Sequence, residues 1–480
     1  MSAFMTPNLL NHGVRCVITL QRRPAFSLLL IHILTCALGM QPGLAAVTDL
    51  SAATFKIDVT PPLGSPLCDA LVKPASVVDD PLSARGLVLV PGGQQPIVLV
   101  AVDWVGIGND GHDQWKRAIA EAAGTTPDRV AVHTLHQHDA PGCDFEAERI
   151  AGEHGLAGKI FDPQFATTVI ERAATAAREA LNHVQPISHI GAGQGKVEKV
   201  ASTRRCLGPD GKVQYIRYTA CTDPKVRDYP EGTIDPNAKA VSFWTGEQPL
   251  AVLTYYATHP QSYYGQGRVS ADFPGMARSM RESALPGPMH IHFNGAGGNL
   301  GAGKYNDGSP ANRAVLAGRL AAGMAAAWDA TERFPVADAL VQWDTREVAL
   351  PPAAHLAEDS LLATIDNQAA PELERIVAVR HLAWLRRCRE GRTITISRLR
   401  IGKVDLLHLP GELFVEYQLA AQAMRPDSLV CTAAYGDYGP GYIGLARSYA
   451  EGGYETSYRA SRVAPGVESV LTKAIAELMK

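Results

Sequence analysis

Arg129-Val130-Ala131-Val132-His133-Thr134-Leu135-His136-Gln137-His138-Asp139-Ala140-Pro141 is the stretch on which the reading turns. Arg129–His133 is an apolar, β-branched run of strand length. The apolar character then gives way to a polar cluster and a Pro-Gly loop. In extended backbone, residues two apart share a face, so His136 and His138 are expected to point the same way. Three of the chain's 15 histidines fall within six residues here. Imidazoles converging at a strand end suit a metal, or a metal beside an acid–base partner.

Further strands and helices alternate on either side. Leu87–Leu89 and Ile97–Val102 are apolar runs around a Pro-Gly-Gly turn and read as buried strands. Gln114–Ala123 and Phe165–His183 carry helical spacing, and Leu250–Ala257 and His290–Phe293 read as core strands. Ser309-Pro310 has the form of a helix N-cap followed by Pro, opening a helix to about Trp328. Two helices fit Leu356–Arg389, and Thr393–Arg400 with Val404–Leu409 form a hairpin over Gly402-Lys403. This alternation predicts an α/β fold of mixed β-sheets flanked by helices.

The 480 residues are 46% hydrophobic and 19% charged, which excludes disorder, collagen and coiled coil. A net charge of −3 without a polybasic run leaves no footprint for nucleic acid. Arg22-Arg23, the apolar run Ala25–Met40 and the small residues Gly43-Leu44-Ala45-Ala46 have the form of a secretory signal peptide. The expectation is a signal over 1–46 and a periplasmic or secreted mature domain over 47–480, with no stable membrane span. Of the six cysteines outside that segment, Cys206 and Cys221 flank an Asp210-Gly211 turn and are the candidates for a disulfide in an oxidising compartment.

Four more stretches stand where chemistry is possible. Thr258-His259-Pro260-Gln261 follows a strand, and Ser270-Ala271-Asp272-Phe273-Pro274-Gly275 places an acid in a turn. Leu409-Pro410-Gly411-Glu412 leaves another strand, where a carboxylate completes a two-His, one-Glu zinc set. Gly436-Asp437-Tyr438-Gly439-Pro440-Gly441-Tyr442 is a Gly-rich loop presenting tyrosines. Asn294–Lys304 contains a formal GxxxxGK from Gly298 to Lys304, but Tyr305 replaces the Ser or Thr that a phosphate loop requires. Such a loop is better suited to bring backbone N–H groups to a substrate oxyanion, making Asn299, Gly301 and Lys304 candidate substrate contacts.

In this order, the stretches resemble the catalytic domain of the neutral ceramidases and their bacterial relatives. The likeness begins at Lys56-Ile57-Asp58-Val59-Thr60-Pro61-Pro62 and passes through Asp103 and Leu135–Gly142. It continues through Thr203-Arg204, His259-Pro260-Gln261, Ser270–Gly275, Pro410-Gly411-Glu412 and Tyr442. The resemblance implies that His136, His259, Glu412 and Tyr442 bind Zn2+. It also implies that His138 contacts substrate or moves protons, and that Arg204 binds substrate. Under the resemblance, the position of the family's catalytic serine falls on Gly301 or Lys304, and the expectation is a catalytic domain over 47–480 without the family's C-terminal domain.

The function these readings lead to is hydrolysis of an amide, or less readily an ester, by a metal-activated water in a small-molecule or lipid-like substrate. His138 or Asp272 would take and return the proton. HxH after a strand also opens amidohydrolase barrels, although Pro410-Gly411-Glu412 and Tyr442 fit those poorly. A non-catalytic zinc- or ligand-binding relative is the alternative from another class.

Overall fold

The computed structural model describes residues 50–336 and 341–480. They fall in one unit, Ala46–Lys480; the expected signal peptide, 1–46, lies outside the described residues. Three sheets carry the structure. In the first, β1 (Leu50–Asp58), β2 (Ser83–Pro91), β3 (Ile97–Val102) and, after helix α1 (Asn109–Ala123), β4 (Val130–Thr134) lie in the order β4-β3-β2-β1, with Gln185–Pro186 at the far edge. Helix α2 (Pro163–Ala180) packs beside α1.

The second sheet is built from β5 (His189–Lys196), β6 (Asn237–Thr245), β7 (Gln248–Tyr256) and, after α3 (Asp272–Ala284), β8 (Met289–Asn294), in the order β8-β7-β6-β5, with Glu332–Pro335 at the far edge. Helix α4 (Pro310–Asp329) covers it. The third holds β9 (Val341–Val348), then helices α5 (Glu358–Asp366) and α6 (Glu372–Arg389), then β10 (Ile394–Ile401) and β11 (Val404–His408). Helix α7 (Val415–Met424) leads to β12 (Leu429–Ala433), and the order is β9-β10-β11-β12.

The apolar runs form strands because both of their faces are buried. Along β3, Ile97, Leu99 and Ala101 join the core shared by the three sheets, while Val98, Val100 and Val102 join the core under α1 and α2. The shared core adds Leu87 and Leu89 of β2, Leu253, Ile291 and Phe293 of the second sheet, and Leu399 and Leu406 of the third. Removing one such side chain, as in Leu99→Ala, costs about 2–5 kcal/mol.

Each sheet is antiparallel except for one pair. β3 and β4 run parallel from Val98↔Val130 to Val102↔Thr134. β7 and β8 run parallel to Tyr256↔Asn294, and β11 and β12 to His408↔Ala433. The carboxyl ends of these three pairs meet. Thr134 donates its backbone N–H to Tyr435 O (3.0 Å), Ala434 to Asn294 O (3.0 Å), and Asn294 Nδ2 to Leu135 O (3.3 Å). Loops leaving parallel strands at their carboxyl ends are where α/β sheets place ligands.

Three expectations need correction. Helix α1 begins at Asn109, five residues before Gln114, where Asp437, from the Gly-rich loop after β12, accepts the Asn109 N–H at 2.8 Å. Ser309 sits at the N-cap of α4, but its hydroxyl makes no capping bond; Asp307 accepts from Ser309 N and Asn312 Nδ2 instead. Cys206 and Cys221 are free thiols. The hairpin of Arg205–Leu207 with Val213–Ile216 sets Cys206 opposite Tyr215, so Cys221 lies beyond the paired register.

Candidate active site

His136 leaves β4 through Leu135 and adopts φ 68°, a left-handed conformation costly for a residue with a Cβ. The pair His136 and His138 is therefore not presented by extended backbone, as the spacing suggested. It is presented by a turn, whose His136 N–H is held by Trp104 O at 2.9 Å. The two rings still adjoin, at 5.2 Å between centroids and nearly perpendicular.

His259 comes from the end of β7, and Glu412 from the loop after β11. A two-residue strand, Glu412–Leu413, pairs with Tyr442–Ile443 and fixes the carboxylate beside Tyr442. Gly411, at φ 59°, makes this approach possible, since a Cβ there would lie 2.7 Å from Gly441 O.

The polar atoms of the four residues converge. Glu412 Oε2 lies 3.1 Å from His136 Nε2 and 3.2 Å from His259 Nε2. Tyr442 Oη lies 3.1 Å from the same His259 nitrogen. Both histidines turn their other nitrogen to a backbone carbonyl: His136 Nδ1 to Val105 O at 2.6 Å, His259 Nδ1 to Gly297 O at 2.8 Å. Only an N–H can face a carbonyl, so those contacts place the ring protons on Nδ1 and leave lone pairs on both Nε2 atoms. Burial, aided by Arg204, lowers the His259 pKa to about 4, which keeps its ring neutral at pH 7.

Two imidazole lone pairs therefore face a carboxylate oxygen with no proton between them. His136 Nε2 and Glu412 Oε2 are buried without a hydrogen-bond partner. Arg204 Nη1 and the Tyr442 hydroxyl reach His259 Nε2, at 3.3 and 3.1 Å, but no donor reaches the facing pair His136 Nε2 and Glu412 Oε2, which is costly unless a cation lies between them. Ligands at about 2.0–2.2 Å from a tetrahedral zinc stand about 3.3 Å apart, close to the spacing here. Two His, a carboxylate and a phenol oxygen form a donor set that fits zinc. His136, His138 and His259 also form a group whose ligand atoms lie within 4.8 Å of one another.

Arg204, on the loop after Ser202–Thr203, donates from Nη1 to Tyr442 Oη at 3.0 Å and sits 3.3 Å from Glu455 Oε1 through Nε. Its guanidinium lies over the rings of Tyr218, Tyr442 and Tyr454, at 5.4–5.8 Å. His138 is the partly exposed member of the cluster, with its ring 4.7 Å from that of Tyr264. Burial and the neighbouring His136 and His259 hold its pKa well below the usual imidazole value, so its ring is neutral at pH 7.

Four of the expected site residues do other work. Asp272, expected as a proton carrier, accepts from Ser262 N and Oγ and from Phe273 N, so its carboxylate is consumed in fixing the loop after His259. The Asn299 side chain binds Val415 N and Glu416 at the start of α7. Lys304 Nζ donates to Arg227 O and Tyr229 O, both at 2.7 Å, and so anchors a neighbouring loop. Gly301 pairs with Ser202. The amides of Gly295, Ala296, Gly298 and Leu300 are all donated within the protein, so these four cannot form the expected oxyanion cradle. The glycines instead permit close packing: a Cβ on Gly298 would meet Glu412 O at 2.2 Å.

Three residues with a place in the site were not singled out by sequence reasoning. Tyr438 Oη donates to Glu412 Oε1 at 3.0 Å, and the Tyr435 ring stacks on His136 at 4.6 Å. Glu455 holds both Arg204 and Arg205. The tyrosines stand in or beside the Gly-rich loop already noted; nothing near Glu455 in the sequence marks it.

No protein-family model and no curated protein matches the sequence. Solved structures do. Neutral ceramidase from Pseudomonas aeruginosa superimposes with a TM-score of 0.66 at 16% identity, covering 90% of this chain and 74% of that one. A ceramidase complexed with C2 matches with the same score and identity, over 90% of this chain and 75% of its own. The fold is that of the neutral ceramidases. Open mixed sheets also exclude the amidohydrolase barrel considered from the HxH motif.

Proposed function

We propose that the chain is a zinc-dependent hydrolase of amide bonds, working outside the cytoplasm on a small-molecule or lipid-like N-acyl substrate. The observation that carries this is the Glu412 oxygen facing two deprotonated imidazole nitrogens, 3.1 and 3.2 Å away, in a buried site. His136, His259, Glu412 and Tyr442 would hold the ion. Bound zinc supplies a water of lowered pKa and polarises the carbonyl under attack.

The remaining steps belong to side chains. His138, neutral and partly exposed, takes the proton from the attacking water and returns it to the leaving nitrogen. Arg204 donates to Tyr442 Oη and keeps a guanidinium beside the developing oxyanion, where a fixed charge is most effective. Tyr438 orients Glu412 through its second oxygen. No nucleophilic serine is needed in the Gly295–Lys304 loop.

The test is a turnover screen of metal-free and zinc-reconstituted protein against N-acyl amides including ceramide, peptides and acylated sugars. Zinc-dependent release of a fatty or small acyl group from an amide is the expected result. Zinc binding without turnover of any amide would favour a non-catalytic relative.

A further inference from the structure

Helix α6 contributes nothing to the metal cluster itself, yet one of its faces grips the loop that carries Tyr438 and Tyr442. Arg380, Trp384 and Arg387 are spaced four and three residues apart, so they share that face. The Arg380 guanidinium lies over the Tyr438 ring, 5.5 Å from its centroid, and Arg387 Nη2 stands 3.3 Å from Asp437 Oδ2. Trp384 packs on Gly439, where a Cβ would lie 2.8 Å from its ring.

Arg380 is buried, and its charge is answered by Asp69 Oδ2 at 2.7 Å, on a side chain buried in its turn. A strained backbone delivers that carboxylate. Cys68, Asp69 and Ala70 take φ of 48°, 51° and 67°, three successive residues in the left-handed region with no glycine among them. Such backbone persists only where its surroundings over-determine it, and it gathers at functional sites. Cys68 N donates to Ala140 O at 2.8 Å, which ties the turn to the loop that presents His138. Two glycines clear the space: a Cβ on Gly142 would overlap Asp69 Oδ1, and one on Gly106 would overlap the Tyr438 ring.

We propose that Asp69 is a positioning residue for Glu412, acting through Arg380 and the Tyr438 hydroxyl. Asp69 fixes the guanidinium, and the guanidinium holds the Tyr438 ring by its face. The Tyr438 hydroxyl then donates to Glu412 Oε1 at 3.0 Å, which leaves Oε2 turned to His136 and His259. Outer partners that hold a ligating carboxylate in this way change metal affinity about 10–100-fold when lost. The inference rests on the reading of Glu412 as a metal ligand.

The experiment measures zinc affinity of the full chain by chelator competition, for Asp69→Asn, for Tyr438→Phe and for the two combined. Asn keeps the shape of the side chain and tolerates left-handed backbone, so Asp69→Asn removes the charge alone. Each single change should weaken zinc binding about tenfold. Once Tyr438→Phe is in place, adding Asp69→Asn should cost less than about twofold more, because its effect runs through the missing hydroxyl. Should Asp69→Asn not fold, Arg380→Lys, which keeps a cation beside Asp69 and gives up the planar contact with the ring, should show the same loss and the same dependence on Tyr438. Affinity within about twofold of wild type, or an equal loss with and without the Tyr438 hydroxyl, would overturn the proposal and leave the metal site standing. A wild-type chain that takes up no zinc would overturn the metal reading and the proposal with it.

Discussion

His133 and His136 stand three residues apart at the end of β4, yet they join different clusters. His136 meets His259, His138 and Glu412. His133 turns the other way, with its ring 5.3 Å from that of His408, in a small cavity that His112, Lys116 and Asp437 also line. The imidazoles are prepared alike in both. His133 Nδ1 faces Ala434 O at 2.8 Å and His112 Nε2 faces Val132 O at 3.1 Å, leaving lone pairs on the opposite nitrogens. Burial lowers the pKa of His133 well below the usual value and that of His408 to about 3. The difference is the charged neighbour. One cluster closes on a carboxylate; the other holds a buried lysine, while Asp437 is occupied by Asn109 N, Gly439 N and Arg387. Counting histidines does not separate a metal site from a buried polar cluster. A carboxylate facing the ring lone pairs does.

The largest effect should come from Glu412→Gln, which keeps the shape of the side chain and removes the charge. Zinc affinity should fall at least 10²-fold, with activity falling in parallel, as measured by competition with a chelator and by turnover. His138→Ala should separate the two readouts: zinc content by metal analysis stays near one per chain, while kcat falls about 10²–10⁴-fold. Lys304→Ala should leave turnover within a few-fold and lower unfolding stability by about 1–3 kcal/mol in denaturant melts, because it anchors two carbonyls rather than substrate.

The smallest effect concerns the second cluster. Lys116→Met should leave zinc content unchanged and raise stability by about 1 kcal/mol at pH 7, since a buried cation without an ion pair is replaced by an apolar chain. Burial lowers the folded pKa of Lys116 below 10.5, so over the affected range the unfolded chain binds more protons. Wild-type stability should therefore gain on that of the variant as pH rises toward 10.5. A gap that widens with pH would contradict the buried-lysine account.

The strands were legible because residues such as Ile97–Val102 are buried on both faces and admit few polar side chains. His136, His259, Glu412 and Tyr442 were legible as polar residues at strand exits or in the Gly-rich loop, where a buried sheet ends and loops converge. What could not be read was how side chains are spent. Asp272 and Lys304 look reactive in sequence, but their partners, Ser262 and the Arg227 and Tyr229 carbonyls, are set by tertiary packing. The same holds for Glu455, whose contact with Arg204 bridges 251 positions. His133 was counted with His136 and His138, and only the turn after Thr134, with φ 68° at His136, divides them.

The central claim, a zinc ion held in the Glu412 cluster and not in the Lys116 cluster, is tested most directly by anomalous diffraction at the zinc edge from crystals of zinc-loaded protein. The account predicts one strong peak about 2.0–2.2 Å from His136 Nε2, His259 Nε2, Glu412 and Tyr442. A peak among His112, His133 and His408, or no peak beside Glu412 in zinc-loaded protein, would contradict it.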